Sequence, residues 1–246
     1  MARQDAIFQL VAMSGASVVC FQETKIRDIP YSVVRRSLGQ DFDCFFFLPA
    51  AGTRGGILIA WKSSVVKISN PHRAPNSLTM QVSQNGQPGW WLTVVYGLQA
   101  QEGKLLFLQE LRDIRDLHPG AHAWVVPGDF NLILDVADKS NDNINRRMMG
   151  WFRRVLGDLD LKELYLNGRR YTWSNKRDSP TMEKLDQVFA SIDWEITYPS
   201  SLLSAMSSSV SDHCPLILNL AVEMKKGRRF HFESFWPKVE GFLDTV

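Results

Sequence analysis

Blocks of apolar and polar positions along the chain predict helices and short strands in mixed order. Residues 4–14 carry apolar side chains at helical spacing and stop at Gly15, which predicts a short amphipathic helix. The continuous apolar run 17–22 follows and predicts a buried strand. This run ends abruptly at the polar residue Glu23, where a buried strand would present chemistry at its carboxyl end.

From residue 43 to residue 98 the pattern changes to short β-rich runs separated by Gly, Pro, Asn and Ser, which predicts a β-meander. Further along, apolar spacing predicts two more helices, and short apolar runs predict four more strands. The meander runs are 45–48, 56–61, 65–68, 78–82 and 91–96, the helices are 103–117 and 147–158, and the strands are 124–126, 171–174, 185–190 and 216–222. No internal repeat is present, so the pattern favours a single α+β domain over residues 1–222. Residues 223–246 differ in being basic and aromatic, and are interpreted as a linker or tail.

Composition narrows the class of protein without naming a function. The 246 residues are 45% hydrophobic, enough for a substantial core, and the net charge of only +2 argues against binding nucleic acid by bulk charge alone. The widely spaced Cys20, Cys44 and Cys214 indicate reduced core thiols and an intracellular protein. No apolar stretch approaches the length of a membrane span, so we expect no membrane association.

Three predicted strand ends carry the residues that metal-assisted phosphoryl hydrolysis needs. They are Glu23, Asp129 with Asn131, and Asp212 with His213. Carboxylates are hard oxygen ligands for Mg²⁺, and a histidine can hold or release a proton near neutral pH. Asp129 and Asn131 would share one face of an extended strand. Each cluster alone could equally be a solvated carboxylate, a turn or a helix cap.

Six motifs in chain order, FQETK, VVYG, PGDFN, RRYTWSN, KLDQVF and SDHCPLIL, resemble the endonuclease/exonuclease/phosphatase superfamily. The residues of these motifs, together with the FHFESFWPKVEGF tail, are most similar to the apurinic-type endonuclease domain of plant LINE-type non-LTR retrotransposon polyproteins. The resemblance covers roughly residues 4–222 and implies a four-layer α/β/β/α sandwich of the DNase-like type, with an active site at one rim.

The resemblance also implies a role for each motif residue. Glu23 would bind Mg²⁺, with Mn²⁺ as a possible substitute, and Asp212 would help to hold the metal or orient its neighbour. Tyr96 and Asn131 would contact the phosphate. Asp129 would act on the attacking water or assist the leaving group. His213 would contact the phosphate or act as a base, and Asp186 would fix its tautomer, although Asp186 could equally be a surface strand residue.

The chain departs from the superfamily pattern at its beginning. The resemblance implies an opening strand that ends in Asn, within a W-N-x-R-G stretch, before the first helix, and no Asn stands before Glu23 here. We therefore expect the first β-strand of the family to be missing.

A basic stretch offers a local surface for DNA. Residues 139–184 contain 11 Lys and Arg against 6 Asp and Glu, interleaved with aromatic residues. Arg169 and Arg170 are the favoured phosphate contacts, with Trp173 and Asn175 of the same motif beside them. The alternative to a DNA-binding surface is that the aromatic side chains belong to the core and the charged side chains to a solvated face.

The leading hypothesis is a Mg²⁺-dependent endonuclease that nicks DNA to leave a 3′-hydroxyl for priming reverse transcription. It would be a monomeric, intracellular and chiefly nuclear domain, with a reverse transcriptase domain in the parent polyprotein. Two alternatives remain: a phosphoesterase of another superfamily branch, and a catalytically inactive retroelement remnant.

Overall fold

Two layers of β-sheet lie face to face in the computed structural model, which describes residues 2–52, 54–84, 88–120, 123–208 and 211–221. One layer is a single six-stranded sheet, and the other consists of two three-stranded sheets. The six strands are, in spatial order, β4 (Lys67–Ala74), β5 (Ser77–Ser83), β6 (Trp90–Tyr96), β7 (Trp124–Asp129), β12 (Asp186–Ser191) and β8 (Leu161–Glu163). The smaller sheets are β1 (Val18–Thr24), β3 (Gly56–Trp61) and β2 (Cys44–Leu48), and β14 (Leu216–Asn219), β13 (Leu202–Ala205) and β9 (Leu166–Asn167). A separate pair joins β10 (Trp173–Ser174) to β11 (Met182–Glu183).

Helices cover the outer faces of both layers. Side chains of α1 (Ala2–Ser14) and α2 (Tyr31–Leu38) pack with the outer face of β3 in one hydrophobic cluster. On the opposite side, α3 (Gln101–Leu117) and α4 (Arg146–Asp158) pack against β7 and β12. A short helix α5 (Ile192–Thr197) and a 3₁₀ turn (Val136–Asp138) complete the described elements. The predicted α+β, four-layer sandwich is confirmed.

Strand β3 shows why the apolar runs of this chain are continuous. Ile57 and Ile59 point into the core between the two layers, whereas Leu58 and Ala60 point to the helices α1 and α2. Because alternate side chains point to opposite faces and both faces are covered, every residue of β3 is buried.

The structure confirms most predicted elements and corrects two points. The predicted β-meander is divided, because β2 and β3 belong to one layer whereas β4, β5 and β6 belong to the other. The predicted strand 65–68 begins too early, because the Val65 N–H closes a turn onto the Lys62 carbonyl at 3.0 Å and β4 spans Lys67–Ala74. The helices α2 and α5 and the short strands β8, β9, β11 and β13 were not predicted from the pattern.

The last predicted strand, 216–222, ends at Asn219 in the structure. The predicted linker or tail, 223–246, lies outside the described residues. All three cysteines are free thiols, as predicted. Within the described ranges, no helix combines the length and apolarity that a membrane span requires.

Each three-stranded sheet has two edge strands within the part of the chain that is described, because β1 and β2 flank β3, and β14 and β9 flank β13. β1 pairs with β3 alone, and β14 pairs with β13 alone. α1 is the first element among the described residues.

Candidate active site

Three of the side chains predicted for the site occupy one row across neighbouring strands of the larger sheet. β6 and β7 run parallel with Tyr96 opposite Asp129, and β12 runs antiparallel to β7 with Asp186 opposite Asp129. The row lies where β6 and β7 end and β12 begins. These residues are far apart in sequence, and the sheet register brings them together.

Two glycine residues allow the backbones of β6 and β7 to approach each other closely at this row. The Gly97 N–H donates to the Asp129 carbonyl at 2.6 Å, and a Cβ atom at Gly97 would lie 2.1 Å from the Phe130 carbonyl oxygen. Gly128 has φ +153°, and a Cβ atom there would lie 2.1 Å from the Val95 carbonyl oxygen. Any side chain at either position would push β6 and β7 apart.

The chain turns immediately after Asp129. Asn131 has φ +49°, so these two residues do not share the face of an extended strand as predicted. Instead, the Asn131 backbone N–H donates to Asp129 Oδ1 at 2.9 Å, and its side-chain amide donates to Asp129 Oδ2 at 3.2 Å and to the Gly97 carbonyl at 2.8 Å. The Asn131 amide therefore holds the Asp129 carboxylate in one orientation.

The Asp129 carboxyl is buried, with 6% of the residue exposed. Burial and the neighbouring charges of Asp186 and Glu23 raise its pKa to about 7, against the opposing effects of His213 and the Asn131 N–H. A carboxyl group that titrates near neutral pH can take up a proton during a reaction.

His213 and Asp186 form an ion pair beside Asp129. The distance from His213 Nδ1 to Asp186 Oδ2 is 2.8 Å, and both side chains are largely buried. Burial alone would lower the pKa of His213, but the hydrogen bond and charge of Asp186, with the charges of Asp129 and Asp212, raise it to about 9. Because Nδ1 donates to Asp186, the other ring nitrogen remains for a substrate.

A buried threonine links the two motifs that supply this pair. The Thr172 hydroxyl accepts hydrogen bonds from the backbone N–H groups of Leu185 and Asp186, at 3.0 and 2.9 Å. Its carbonyl accepts the N–H of Cys214, the residue after His213, at 2.7 Å. Thr172 thus sets the spacing between Asp186 and His213.

Asp212 is held by Trp173. The indole N–H of Trp173 donates to Asp212 Oδ2 at 3.0 Å, and the backbone of Trp173 forms an isolated bridge with His213. Burial alone would raise the pKa of Asp212, but the indole hydrogen bond and the charges of His213 and Lys176 hold it below its ordinary value. Asp212 is therefore a carboxylate at neutral pH.

Glu23 lies near the end of β1, and its charge acts on both Asp129 and Tyr96. It has φ +55° at an irregularity in the β1–β3 pairing, and its carboxylate pairs with Lys25 at 2.7 Å. The Tyr96 hydroxyl is close by: burial, the charges of Glu23 and Asp129, and a hydrogen bond to Glu23 keep the pKa of Tyr96 well above its ordinary value. Tyr96 is a neutral hydrogen-bond donor.

Lys104 is a site residue that the motifs did not reveal. It lies in the first turn of α3, and burial together with the charge of Lys139 lowers its pKa, while Glu183 and Asp129 raise it. Its helical position was predictable, but its proximity to Asp129 depends on how α3 packs on the sheet.

The four residues predicted to bind nucleic acid have different surroundings. Arg169 donates to Cys214 Sγ, and Arg170 donates to the Ala137 carbonyl at 2.9 Å and lies over the Tyr171 ring. Asn175 accepts backbone N–H groups from Arg177 and Thr181 and so shapes its own turn. Trp173 contacts the site through Asp212, as described above.

Several charges of the basic stretch are paired within the protein. Lys139 pairs with Glu183, Arg153 with Asp135, and Lys184 with Glu163 and Asp138. The exposed Arg169 and Arg170 therefore remain the stronger candidates for an anionic partner.

The donor set is suited to a lightly ligated hard cation. Among the described residues, no three His, Cys, Asp or Glu side chains form a group that could hold a metal ion. Mg²⁺ needs no such cage, because it is held by one or two carboxylates, water and substrate phosphate. The negative charge of Glu23 helps to raise the pKa of Asp129, and a bound cation would relieve this repulsion.

The model of the endonuclease/exonuclease/phosphatase family matches residues 1–213. The chain belongs to this family. Its members are nucleases and phosphatases, which hydrolyse phosphoester bonds. No curated protein matches the chain closely enough to serve as a relative.

Solved structures share the fold at low sequence identity. The endonuclease domain of TRAS1, a telomere-specific non-LTR retrotransposon, is 14% identical, with a TM-score of 0.64 over 89% of this chain and 93% of that one. The 3′-5′ exonuclease NExo from Neisseria meningitidis is 16% identical, with a TM-score of 0.66 over 88% and 94%. An AP endonuclease from Archaeoglobus fulgidus is 16% identical, with a TM-score of 0.66 over 90% and 95%. The resemblance of the motifs to the endonuclease/exonuclease/phosphatase superfamily is confirmed. The finer similarity to plant LINE-type domains stays a prediction.

Proposed function

We propose that this chain is a Mg²⁺-dependent endonuclease that nicks one strand of DNA and leaves a 3′-hydroxyl. The observation that carries the proposal is the row of Tyr96, Asp129 and Asp186, with His213 paired to Asp186 and Glu23 beside Tyr96. Water attacks the phosphorus, the bond from phosphorus to O3′ breaks, and the products are a 3′-hydroxyl and a 5′-phosphate.

Asp129 is the proposed base for the attacking water. A pKa of about 7 leaves a large fraction of the carboxyl groups ionised at neutral pH and still basic enough to accept a proton. Asn131 acts through Asp129, because its amide hydrogens are engaged by that carboxylate and by Gly97. It is a positioning residue that preserves the direction of the lone pair facing the water.

His213 and Tyr96 are the proposed donors to the scissile phosphate. With a pKa of about 9, His213 is an imidazolium at neutral pH and stabilises negative charge that grows on the phosphate oxygens. Asp186 holds the ring through Nδ1, and Asp212 adds charge that keeps it protonated. The neutral Tyr96 hydroxyl donates without losing its proton.

Glu23 is the proposed ligand of the metal ion. A Mg²⁺ ion there would neutralise charge on the phosphate, and Mn²⁺ could replace it. Lys25 would release the Glu23 carboxylate with little loss, because their ion pair is exposed and such pairs stabilise proteins weakly. Asp212 remains a second candidate ligand.

DNA would lie across the surface that Arg169, Arg170, Trp173 and Asn175 share with the site. The two arginines offer charge for flanking phosphates, and the Trp173 ring is partly exposed. Lys104 would face the substrate from the other side of Asp129, and its lowered pKa marks it as a desolvated ammonium.

The biological setting is proposed from the similarity to the TRAS1 domain, which belongs to a non-LTR retrotransposon. The nick would supply the 3′-hydroxyl that primes reverse transcription by a polymerase domain of the same polyprotein. The domain would work as a monomer in the nucleus.

A plasmid nicking assay tests the proposal. We expect the purified chain to convert supercoiled DNA to open circles with Mg²⁺ and not with EDTA. The nick should be extended by a DNA polymerase without prior phosphatase treatment, which reports a 3′-hydroxyl. Asp129→Ala and His213→Ala should each lower the rate by at least about a hundredfold.

Matched controls are Asp113→Ala, at an exposed position of α3, and His72→Ala, whose ring packs against His118. Both should nick at the rate of the unaltered chain. Absence of nicking by folded protein would favour the inactive remnant. Hydrolysis of small phosphate esters without nicking would favour another phosphoesterase branch.

A further inference from the structure

Glu110 is a buried carboxylate that the proposed mechanism does not use. It lies in α3 with 8% of the residue exposed, and its neighbours Phe107 and Leu111 pack in the cluster between this helix and the sheet. Burying a carboxylate costs free energy unless hydrogen bonds satisfy its oxygens, whereas an apolar side chain fills the same space without that cost. Packing alone therefore does not explain a carboxylate at this position.

The Glu110 carboxylate binds the tight turn that joins β4 to β5. This turn has Pro75 and Asn76 at its two central positions, between the paired residues Ala74 and Ser77. The Asn76 backbone N–H donates to Glu110 Oε1 at 2.9 Å and to Oε2 at 3.2 Å, and the Asn76 side-chain amide donates to Oε2 at 2.8 Å. The Ser77 hydroxyl also donates to Oε1. All of these donors are neutral, so the contact fixes the geometry of the turn rather than balancing a charge.

The same turn contacts the end of β6, where Tyr96 lies. The Asn76 carbonyl accepts the backbone N–H of Tyr96 at 2.9 Å. On the other side of the strand, Tyr96 lies opposite Asp129 of β7, and the Gly97 N–H donates to the Asp129 carbonyl. The end of β6 is thus held between β7 and a turn whose own position depends on Glu110.

The turn needs an acceptor from outside itself. Pro75 has its backbone φ fixed near −65°, which suits the first central position of a type I or type II turn. These turn types match the twist of a hairpin less well than their mirror images do. Asn76 is also only 4% exposed, so its backbone and side-chain N–H groups require a protein acceptor in place of water. Glu110 is that acceptor, so the position of the turn is set from α3.

We propose that Glu110 is a positioning residue that sets the place of the Tyr96 hydroxyl through Asn76. This inference rests on the proposed function, in which that hydroxyl donates to the scissile phosphate. A hydrogen bond that stabilises a transition state depends steeply on its geometry, and a displacement of about 1 Å can cost about a hundredfold in rate. In this role Glu110 acts on turnover through Tyr96 and does not itself contact the substrate.

Substitution of Glu110 by glutamine tests the effect on turnover. Glu110→Gln keeps the size of the side chain and replaces one acceptor oxygen by an amide, which cannot accept from the N–H groups of Asn76. We expect kcat for plasmid nicking to fall about tenfold with KM changed by less than about twofold, because the hydroxyl acts in the transition state. Asp113→Asn, at an exposed position further along α3, is the matched control and should change neither value.

A double-mutant cycle with Tyr96→Phe separates positioning from a general loss of structure. Tyr96→Phe removes the hydroxyl that Glu110 is proposed to place, so Glu110→Gln should lower kcat by less than about twofold in that background. A structural effect that does not act through Tyr96 would lower kcat by the same factor in both backgrounds, and this result overturns the proposal. Unchanged kcat in folded Glu110→Gln overturns it as well.

Amide hydrogen exchange followed by NMR tests the same link without DNA. We expect Glu110→Gln to accelerate exchange of the Tyr96 amide by about tenfold or more, whereas the amides of β12, two strands away, keep their rates. Asn76→Ala covers the case in which Glu110→Gln does not fold, because it removes only the side-chain donor. Its effect on the Tyr96 amide should be smaller and confined to the same place.

The exchange measurement also distinguishes failure of this inference from failure of the proposed function. If the unaltered chain nicks no DNA, the proposed function fails, and exchange at Tyr96 still decides whether Glu110 holds its backbone. Unchanged exchange of the Tyr96 amide in Asn76→Ala and in any folded Glu110→Gln protein overturns the inference, whatever the result of the nicking assay.

Discussion

The imidazole of His213 and the carboxylate of Asp186 lie 2.8 Å apart and are separated by 27 residues in the chain. This contact joins the start of β12 to the segment before β14, and so ties the two β-layers together at the site. It also keeps His213 protonated, because the carboxylate stabilises the imidazolium more than burial opposes it.

Asp186→Asn should therefore lower the pKa of His213 from about 9 toward its ordinary value, measured by NMR titration of the imidazole in metal-free protein. Because the pKa of His213 in the folded protein lies above its ordinary value of 6.5, the His213–Asp186 pair stabilises the protein fully below pH 6.5. This stabilisation is lost as the pH rises through about 9. In the variant, the loss of unfolding free energy between pH 6.5 and 9 should be smaller.

Asp113→Asn is the control for this variant, because it neutralises an exposed carboxylate of α3. It should leave both the titration of His213 and the pH dependence of stability unchanged. A His213 pKa that stays near 9 in Asp186→Asn would show that Asp186 is not the cause.

Asp129→Asn should stop nicking and stabilise the metal-free protein. Because the folded-state pKa of Asp129 is raised from 3.8 to about 7, its ionisation opposes folding, and this penalty grows from pH 4 to pH 7. We expect a gain of about 1–3 kcal/mol in the free energy of unfolding at pH 8. Urea denaturation in EDTA at pH 5 and pH 8 measures it, and a gain that does not increase with pH would contradict the explanation.

Gly97→Ala should damage the junction of β6 and β7. Its Cβ atom would lie 2.1 Å from the Phe130 carbonyl oxygen, so the row of Tyr96 and Asp129 must shift. We expect a loss of about 2–4 kcal/mol in the free energy of unfolding, together with loss of nicking. Gly150→Ala is the control, since nothing lies within 4 Å of its Cβ position in α4. It should be neutral or stabilise the protein, by about 0.5–1 kcal/mol.

Removing the charges of Arg169 and Arg170 should weaken DNA binding without unfolding the protein. If each arginine contacts one phosphate, the slope of log K against log salt concentration should fall by about 1 per residue for duplex DNA. Fluorescence anisotropy over a salt series, in EDTA, measures the slope. Arg36→Ala, at an exposed position of α2, should leave the slope unchanged. Equal slopes for the double variant and the unaltered chain would remove both residues from the interface.

The sequence by itself determined the α+β fold class and the strand-end residues of the site, whereas Tyr96 and Asp186 were selected from the resemblance of their motifs to the superfamily. Continuous apolar runs predicted the buried strands. A polar residue next to the end of such a run is expected at the edge of the sheet, which is why Glu23, Asp129 and His213 could be selected. These signals are local, since they depend on the spacing of neighbouring side chains along one element.

The tertiary structure decided what depends on distant partners. The division of the predicted meander into two layers, the proximity of Lys104 to Asp129 and the contact of His213 with Asp186 all arise from packing between elements that are far apart in the chain. The pKa values of Asp129 and His213 follow from burial and neighbouring charges. The turn at Asn131 is closed by a hydrogen bond to Gly97 on another strand. Desolvation and Coulomb interactions depend on distance in space, which the order of residues alone does not specify.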